Sequence, residues 1–207
     1  MKKESLLAVC LSLCMLPTFA QKEAGTFTIQ PKVGMNIANV YGETILTGMQ
    51  KRVRIGFAAG VEFEYQFSSC FSMALGALYS QQGARVKTML SGVALTETDK
   101  VDYINLPVMA NVYLAKCFAM KFGVQPGLKV NDSYKISGNG MSISGSISDL
   151  GGRMNSFYCS IPVGFSLEFN NVVLDARYNI GVTRMDKDSK ETNGVFQFTL
   201  GYKFKAK

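Results

Sequence analysis

The stretch VRIGFAAGVEFEYQF, Val53 to Phe67, decides the fold class. Every second residue gives Val53, Ile55, Phe57, Ala59, Val61, Phe63, Tyr65 and Phe67. The intervening set is Arg54, Gly56, Ala58, Gly60, Glu62, Glu64 and Gln66. Side chains alternate across a strand, so this is one long strand with an apolar face and a face of small and charged residues. In a soluble barrel the apolar face would point inward; in a membrane barrel it would point to lipid.

The same alternation predicts strands over about 26–37, 53–67, 71–84, 101–114, 118–131, 154–169, 172–184 and 194–204. Helical spacing is not sustained beyond the amino-terminal segment. Pro31, Pro107, Pro126 and Pro162 fall inside these strands and remove ladder donors, which predicts bulges or strand ends there. Three connections are tiny: Ser68-Ser69-Cys70, Ala115-Lys116-Cys117 and Asn170-Asn171. Four are long, at 38–52, 85–100, 132–153 and 185–193, and they alternate with the short ones. An eight-stranded antiparallel up-and-down barrel gives this order, with tight turns on one rim and loops on the other. The longest loop holds the Gly- and Ser-rich run from Ser137 to Gly152 and is expected to be mobile. A membrane strand needs about 9–11 residues, and each predicted strand meets that length.

Side-chain size chooses the outer face. Phe196, Phe198, Leu200, Tyr202 and Phe204 form one apolar row, and Phe157, Ile161, Val163, Phe165, Leu167 and Phe169 another. Eight such rows exceed what the interior of an eight-stranded barrel can hold. The other face carries glycines at 34, 56, 60, 76, 123, 127, 164, 181 and 201. It also carries charge, which lipid penalises by about 2–4 kcal/mol for Arg or Lys at the midplane. Phe57, Val61 and Phe63 are therefore expected to face lipid, and Glu62 and Glu64 the lumen. Lys32, Glu62, Glu64, Lys121, Glu168, Asp175, Arg177 and Lys203 gather near the short-turn end, where a salt-bridge network is expected. Such a network reads as a structural plug in preference to an ion-selective constriction. Tyr65, Phe67, Phe71, Tyr113, Phe118, Phe169 and Phe204 suit an interfacial girdle at that rim, with Tyr79 and Tyr134 toward the other.

The amino terminus reads as a secretory signal peptide over 1–20: Lys2 and Lys3, an apolar Leu6–Leu16, and Thr18-Phe19-Ala20 before the cleavage point. Val9 before Cys10 and Leu13 before Cys14 do not fit lipid attachment. The barrel domain then occupies 21–207, with 20 basic and 14 acidic residues left from the 22 and 15 of the whole chain. Those bases are scattered, which argues against nucleic acid as a partner. Cys70, Cys117 and Cys159 are an odd set, so either one pair or free thiols is allowed.

The segments PKVGMNIANVYG, YINLPVMANVYL, IPVGFSLEF, DARYNIGVTRM and GVFQFTLGYKF resemble the small outer-membrane β-barrel proteins of Bacteroides-like bacteria, the porin-family or PorT-type proteins. The likeness spans nearly the whole chain after Ala20. It implies an eight-stranded barrel in the outer membrane of a Gram-negative bacterium and no settled activity; a few members resemble parts of a protein-secretion machine. One departure is the tail, where Lys205-Ala206-Lys207 follows the terminal aromatic Phe204.

The chain has no histidine, which removes Ser-His catalysis and the usual zinc sites. Glu62 and Glu64 could do acid–base work or hold calcium, but an ion pair with lumen bases is the stronger reading. Asp186, Asp188 and Glu191 are interleaved with Lys187 and Lys190, which suits a solvated loop. No metal, cofactor or catalytic residue is expected. The reading is therefore a non-catalytic barrel, structural or accessory, contacting outer-membrane lipid and using its four long loops toward envelope or extracellular proteins. A narrow porin and a secretion-machine subunit are the alternatives. A soluble lipocalin-like carrier would need its glycines outside, which side-chain size opposes.

Overall fold

The structure is a computed structural model that describes residues 23–41, 50–90, 93–138, 141–146, 155–183 and 192–206. The expected signal peptide and the Asp186–Glu191 cluster lie outside the described residues.

Twelve strand segments follow in chain order: β1 (Phe27–Tyr41), β2 (Gln50–Arg52), β3 (Arg54–Ser68), β4 (Phe71–Leu90), β5 (Val93–Asn105), β6 (Val108–Ala115), β7 (Phe118–Gly138), β8 (Met141–Gly145), β9 (Phe157–Phe169), β10 (Val172–Gly181), β11 (Thr192–Tyr202) and β12 (Phe204–Ala206). They make eight staves, because β2 continues into β3, β5 into β6 and β11 into β12, and β8 shares with β9 one edge of β7. Each stave pairs antiparallel with the next, and β11 and β12 return to β1 to close the ring. The small β8 folds back onto the upper end of β7.

Alternation of burial along β3 settles the opening question. Arg54, Ala58, Glu62, Glu64 and Gln66 are buried, while Val53, Ile55, Phe57, Phe63, Tyr65 and Phe67 are exposed. The same inversion holds around the ring, with Val33, Leu75, Phe122, Phe165, Leu174 and Phe198 all outward. A barrel with its bulky apolar side chains outside and its charges inside is solvated by lipid.

The four prolines predicted inside strands sit at ladder interruptions. Pro31 lies between the β1–β11 register, which starts at Lys32, and the β1–β12 register, which ends at Ile29. Pro107 separates β5 from β6, and its carbonyl accepts from Gly76 N at 2.8 Å. Pro126 faces that same break and accepts from Leu106 N at 2.8 Å. Pro162 falls in the gap of the β7–β9 register between Ser160 and Val163. A residue without an N–H costs little where no partner carbonyl faces it.

The three short turns are as read from the sequence. Asn170 adopts φ 56°, a left-handed conformation that its short polar side chain tolerates.

Two expectations are corrected. The span 85–100 is a hairpin rather than a loop: β4 and β5 remain paired from Leu78↔Asn105 up to Leu90↔Val93. Much of 132–153 is likewise strand, in the upper part of β7 and in β8. The sequence reading ended these strands where apolar alternation ended. Backbone pairing needs no lipid-facing side chains, and β-branched residues such as Val86, Thr96 and Thr98 sustain it.

Candidate functional site

The lumen is filled by polar side chains, and its glycines are placed to admit the long ones. Lys32 is flanked in register by Gly60 on β3 and Gly201 on β11. Gly164 lies between Lys121 on β7 and Arg177 on β10, and Gly76 lies opposite Glu62. A Cβ on Gly60 would collide with the backbone at Ala77 and Leu78. The narrow bore thus alternates large and empty positions around each layer.

Two charge clusters result. In the upper one, Lys32 Nζ donates to Glu62 Oε2 at 2.7 Å and to Asp175 Oδ2 at 2.8 Å. Lys121 Nζ donates to Glu62 Oε1 and Asp175 Oδ1, both at 3.0 Å. Arg177 Nη2 stands 3.6 Å from Glu62 Oε2. In the lower cluster, Lys203 Nζ lies 2.6 Å from Glu64 Oε2 and donates to Glu168 Oε1. Ser72 Oγ and Tyr113 OH both reach Glu64 Oε1 at 2.5 Å, and Tyr113 OH is 3.0 Å from Glu168 Oε1.

These eight charged residues are the eight singled out from the sequence, and the structure brings them together as two groups. Glu62 and Glu64, two residues apart, serve different clusters. The upper group has three cations and two carboxylates; the lower has one cation and two carboxylates. Each is unbalanced by one charge and the sum is neutral, which is the condition for burying so many ions near one another. None of the eight side chains exceeds 4% exposure.

Two tyrosines depart from the expected girdles. Tyr134 lies in register with Asp99 on the face turned to the mouth of the lumen. Tyr113 turns into the bore, and its hydroxyl lies in the lower cluster, 3.2 Å from Lys203 Nζ. The signal was available: Asn105, Pro107, Met109 and Asn111 are all buried, and Tyr113 continues that phase. The other aromatics of the short-turn rim do pack outside, with Tyr65 against Phe67 at 4.8 Å and Tyr202 against Phe204 at 4.7 Å between ring centroids.

Above the clusters comes a layer of amides and hydroxyls. Asn36 Nδ2 donates to Ser80 Oγ at 2.9 Å, and Gln82 Nε2 to the same oxygen at 3.0 Å. Higher still, the rings of Tyr103 and Tyr158 pack in a tilted pair, 5.3 Å between centroids, beside Val101. Gly83, at φ 137°, lets Arg54 reach the Gln82 carbonyl. A Cβ there would meet the Arg54 guanidinium and the Asp99 carbonyl. Among the described residues no group of carboxylates and thiols is arranged to hold a metal, and Cys70, Cys117 and Cys159 form no disulfide with one another.

A family model described as an outer membrane protein beta-barrel domain matches residues 19–187. The chain belongs to that family. Members of this outer-membrane barrel family reside in the outer membrane of Gram-negative bacteria, and so does this protein. Its last stave, β11 with β12, lies beyond the matched residues and closes the ring.

Among solved structures the barrel is similar to Ail, the attachment invasion locus protein of Yersinia pestis. Identity is 16% over 87% of this chain and 99% of that one, with a TM-score of 0.51. Neisserial surface protein A matches at 16% identity over 86% and 97%, TM-score 0.46. OprG of Pseudomonas aeruginosa matches at 13% over 91% and 100%, TM-score 0.45. At such identities the likeness speaks for the fold alone. Comparison with curated proteins finds no match.

Proposed function

We propose that the protein is a non-catalytic, non-conducting outer-membrane barrel that serves as an anchor, with its extracellular hairpins as the working surface. The observation that carries this reading is the double ion cluster. It ties β1, β3, β7 and β10 together at one level, and β3, β9 and the residue between β11 and β12 at the next. Lysine chains reaching across a narrow bore to carboxylates on other staves plug it where they meet. The test is current through planar bilayers holding the purified barrel. The expected result is no resolved steps in molar potassium chloride. Regular steps that vanish when the protein is omitted would overturn the reading.

A narrow pore is the second reading, and the amide layer favours it. The side-chain oxygens of Asn36, Gln125, Asn179 and Gln197 are buried without a protein partner, which suits a hydrated upper lumen. Steps that change with Arg177→Gln would support that alternative.

Kinship with the PorT-type proteins, and a place in a secretion machine, rest on the segment likeness and belong to the same proposal. A working surface on the hairpins predicts that trimming β4 and β5 above Gln82 removes an envelope partner cross-linked to the intact protein. Unchanged cross-linking after trimming would count against it.

A further inference from the structure

Above the apolar band the outward face of β4, β5 and β7 changes character. Rows run across the three strands by register. Gly83, Lys100 and Ser133 form the first; Arg85, Thr98 and Lys135 the second; Lys87, Thr96 and Ser137 the third. Arg85, Lys87, Lys100 and Lys135 are all exposed. The opposite face, turned to the mouth of the lumen, reads Ala84, Asp99, Tyr134 and then Val86, Glu97, Ile136.

Above Asp102 on the outward face and Lys129 on the mouth face, the two signs of charge are divided across the sheet: Arg85, Lys87, Lys100 and Lys135 outside, Asp99 and Glu97 toward the mouth. Asp132, also on the mouth side, is tied to Lys129 at 2.6 Å. Asp102 sits at the foot of the outward face, buried, and accepts from Asn131 Nδ2 at 3.2 Å. A sheet standing free in water gains nothing from such a division, whereas a sheet leaning over an anionic surface does.

The basic face also continues the lipid face. Tyr79, Ile104 and Leu128 lie side by side on the outward surface as its upper apolar row. Lys100 is four residues beyond Ile104, and Arg85 six beyond Tyr79. At about 3.3 Å per residue and a tilt of about 40°, those positions stand roughly 10 and 15 Å above that row. The headgroup layer is about 5–8 Å thick, so Lys100 stands at its outer edge and Arg85 above it, where long basic side chains bend back to reach phosphate. Among the described residues the next two staves differ: the outward rows of β9 and β10 end in Phe157, Ile180 and Val182.

We propose that Arg85, Lys100 and Lys135, with Lys87 above them, hold the phosphorylated headgroups of outer-leaflet lipid on this one sector of the barrel. The bound lipid is at the same time the ground on which the long β4–β5 hairpin rests.

The test uses the full chain in nanodiscs of phosphatidylcholine with a small fraction of bisphosphorylated lipid A, or of the same lipid stripped of phosphate. Lipid retained on gentle extraction is read by native mass spectrometry. Wild type is expected to retain the phosphorylated lipid and not the stripped one. Each basic residue near an anionic surface contributes about fivefold at low salt, so the variant Arg85→Gln/Lys100→Gln/Lys135→Gln should bind about a hundredfold more weakly. Lys100→Gln alone should lose about fivefold, and Lys116→Gln/Lys205→Gln at the other rim nothing. Heat-dependent gel mobility verifies that each variant is folded. Equal retention by the triple variant would overturn the proposal. So would complete displacement by millimolar inorganic phosphate, which would make the face a site for a soluble anion.

Discussion

Glu62→Gln is the sharpest perturbation of the lumen. The carboxylate serves Lys32 at 2.7 Å, Lys121 at 3.0 Å and Arg177 at 3.6 Å, and its side chain has no exposure. Glutamine keeps the volume and one acceptor but removes the charge, leaving three cations to share Asp175. Removing one partner of a buried ion pair costs about 3–5 kcal/mol. For a chain of this size each kcal/mol lowers the melting midpoint by about 2–4 °C, so a drop of roughly 6–20 °C is expected. The assay is gel mobility of unboiled samples after heating for a fixed time at a series of temperatures. Adding Lys121→Met removes one of the surplus cations, so the double variant should regain at least half of the loss. Non-additivity of this kind is the mark of a shared network. A drop below about 2 °C, or losses in the double variant that simply add, would refute the argument that these ions stabilise as a unit.

Three further outcomes are expected. Tyr113→Phe removes the hydroxyl that reaches Glu64, Glu168 and Lys203. Hydrogen bonds to charged groups contribute about 1.5–3 kcal/mol, so its midpoint should fall while the intact barrel still migrates as folded. Asn170→Ala places a Cβ residue at φ 56° and should lose about 1 kcal/mol, whereas Asn170→Gly should lose none, as read by denaturant midpoints. Asp99, above the apolar band, has its carboxyl pushed up to about 6 by burial and by neighbouring Glu97, against the pull of Arg54. The folded state therefore holds that proton more tightly than the unfolded state. Stability from this group is complete below about pH 4 and is lost as pH rises through 6. Asp99→Asn should flatten the melting midpoint across that window and raise it at pH 8.

The fold was legible because one period carried two signals. Alternation from Val53 to Phe67 marked the strand, and the volumes on its two faces said which one meets lipid. The charged residues of the lumen were legible for a related reason: Lys32, Lys121 and Arg177 could not be left in hydrocarbon. The division into two clusters was not, since it depends on how far each staggered stave carries its residues along the axis. Tyr113 was missed because an aromatic near a rim fits the girdle and the lumen equally well until its phase is counted from Asn111. The hairpin over 85–100 was missed because hydrophobicity stops at the membrane surface while hydrogen bonding between strands does not.

The glycines beside the lysines have a consequence for assembly. A one-residue slip between β1 and β11 would send Lys32 into lipid and is rejected by the bilayer itself. A two-residue slip is invisible to the bilayer, because Val33, Met35 and Ile37 would still face outward. Inside, it would move Lys32 from opposite Gly201 to opposite Thr199 in one direction or Lys203 in the other. The first fills the gap the lysine needs, and the second sets two cations side by side. The closing strands can therefore mate at one alignment only, and the interior acts as the gauge by which a misclosed ring is told from a finished one.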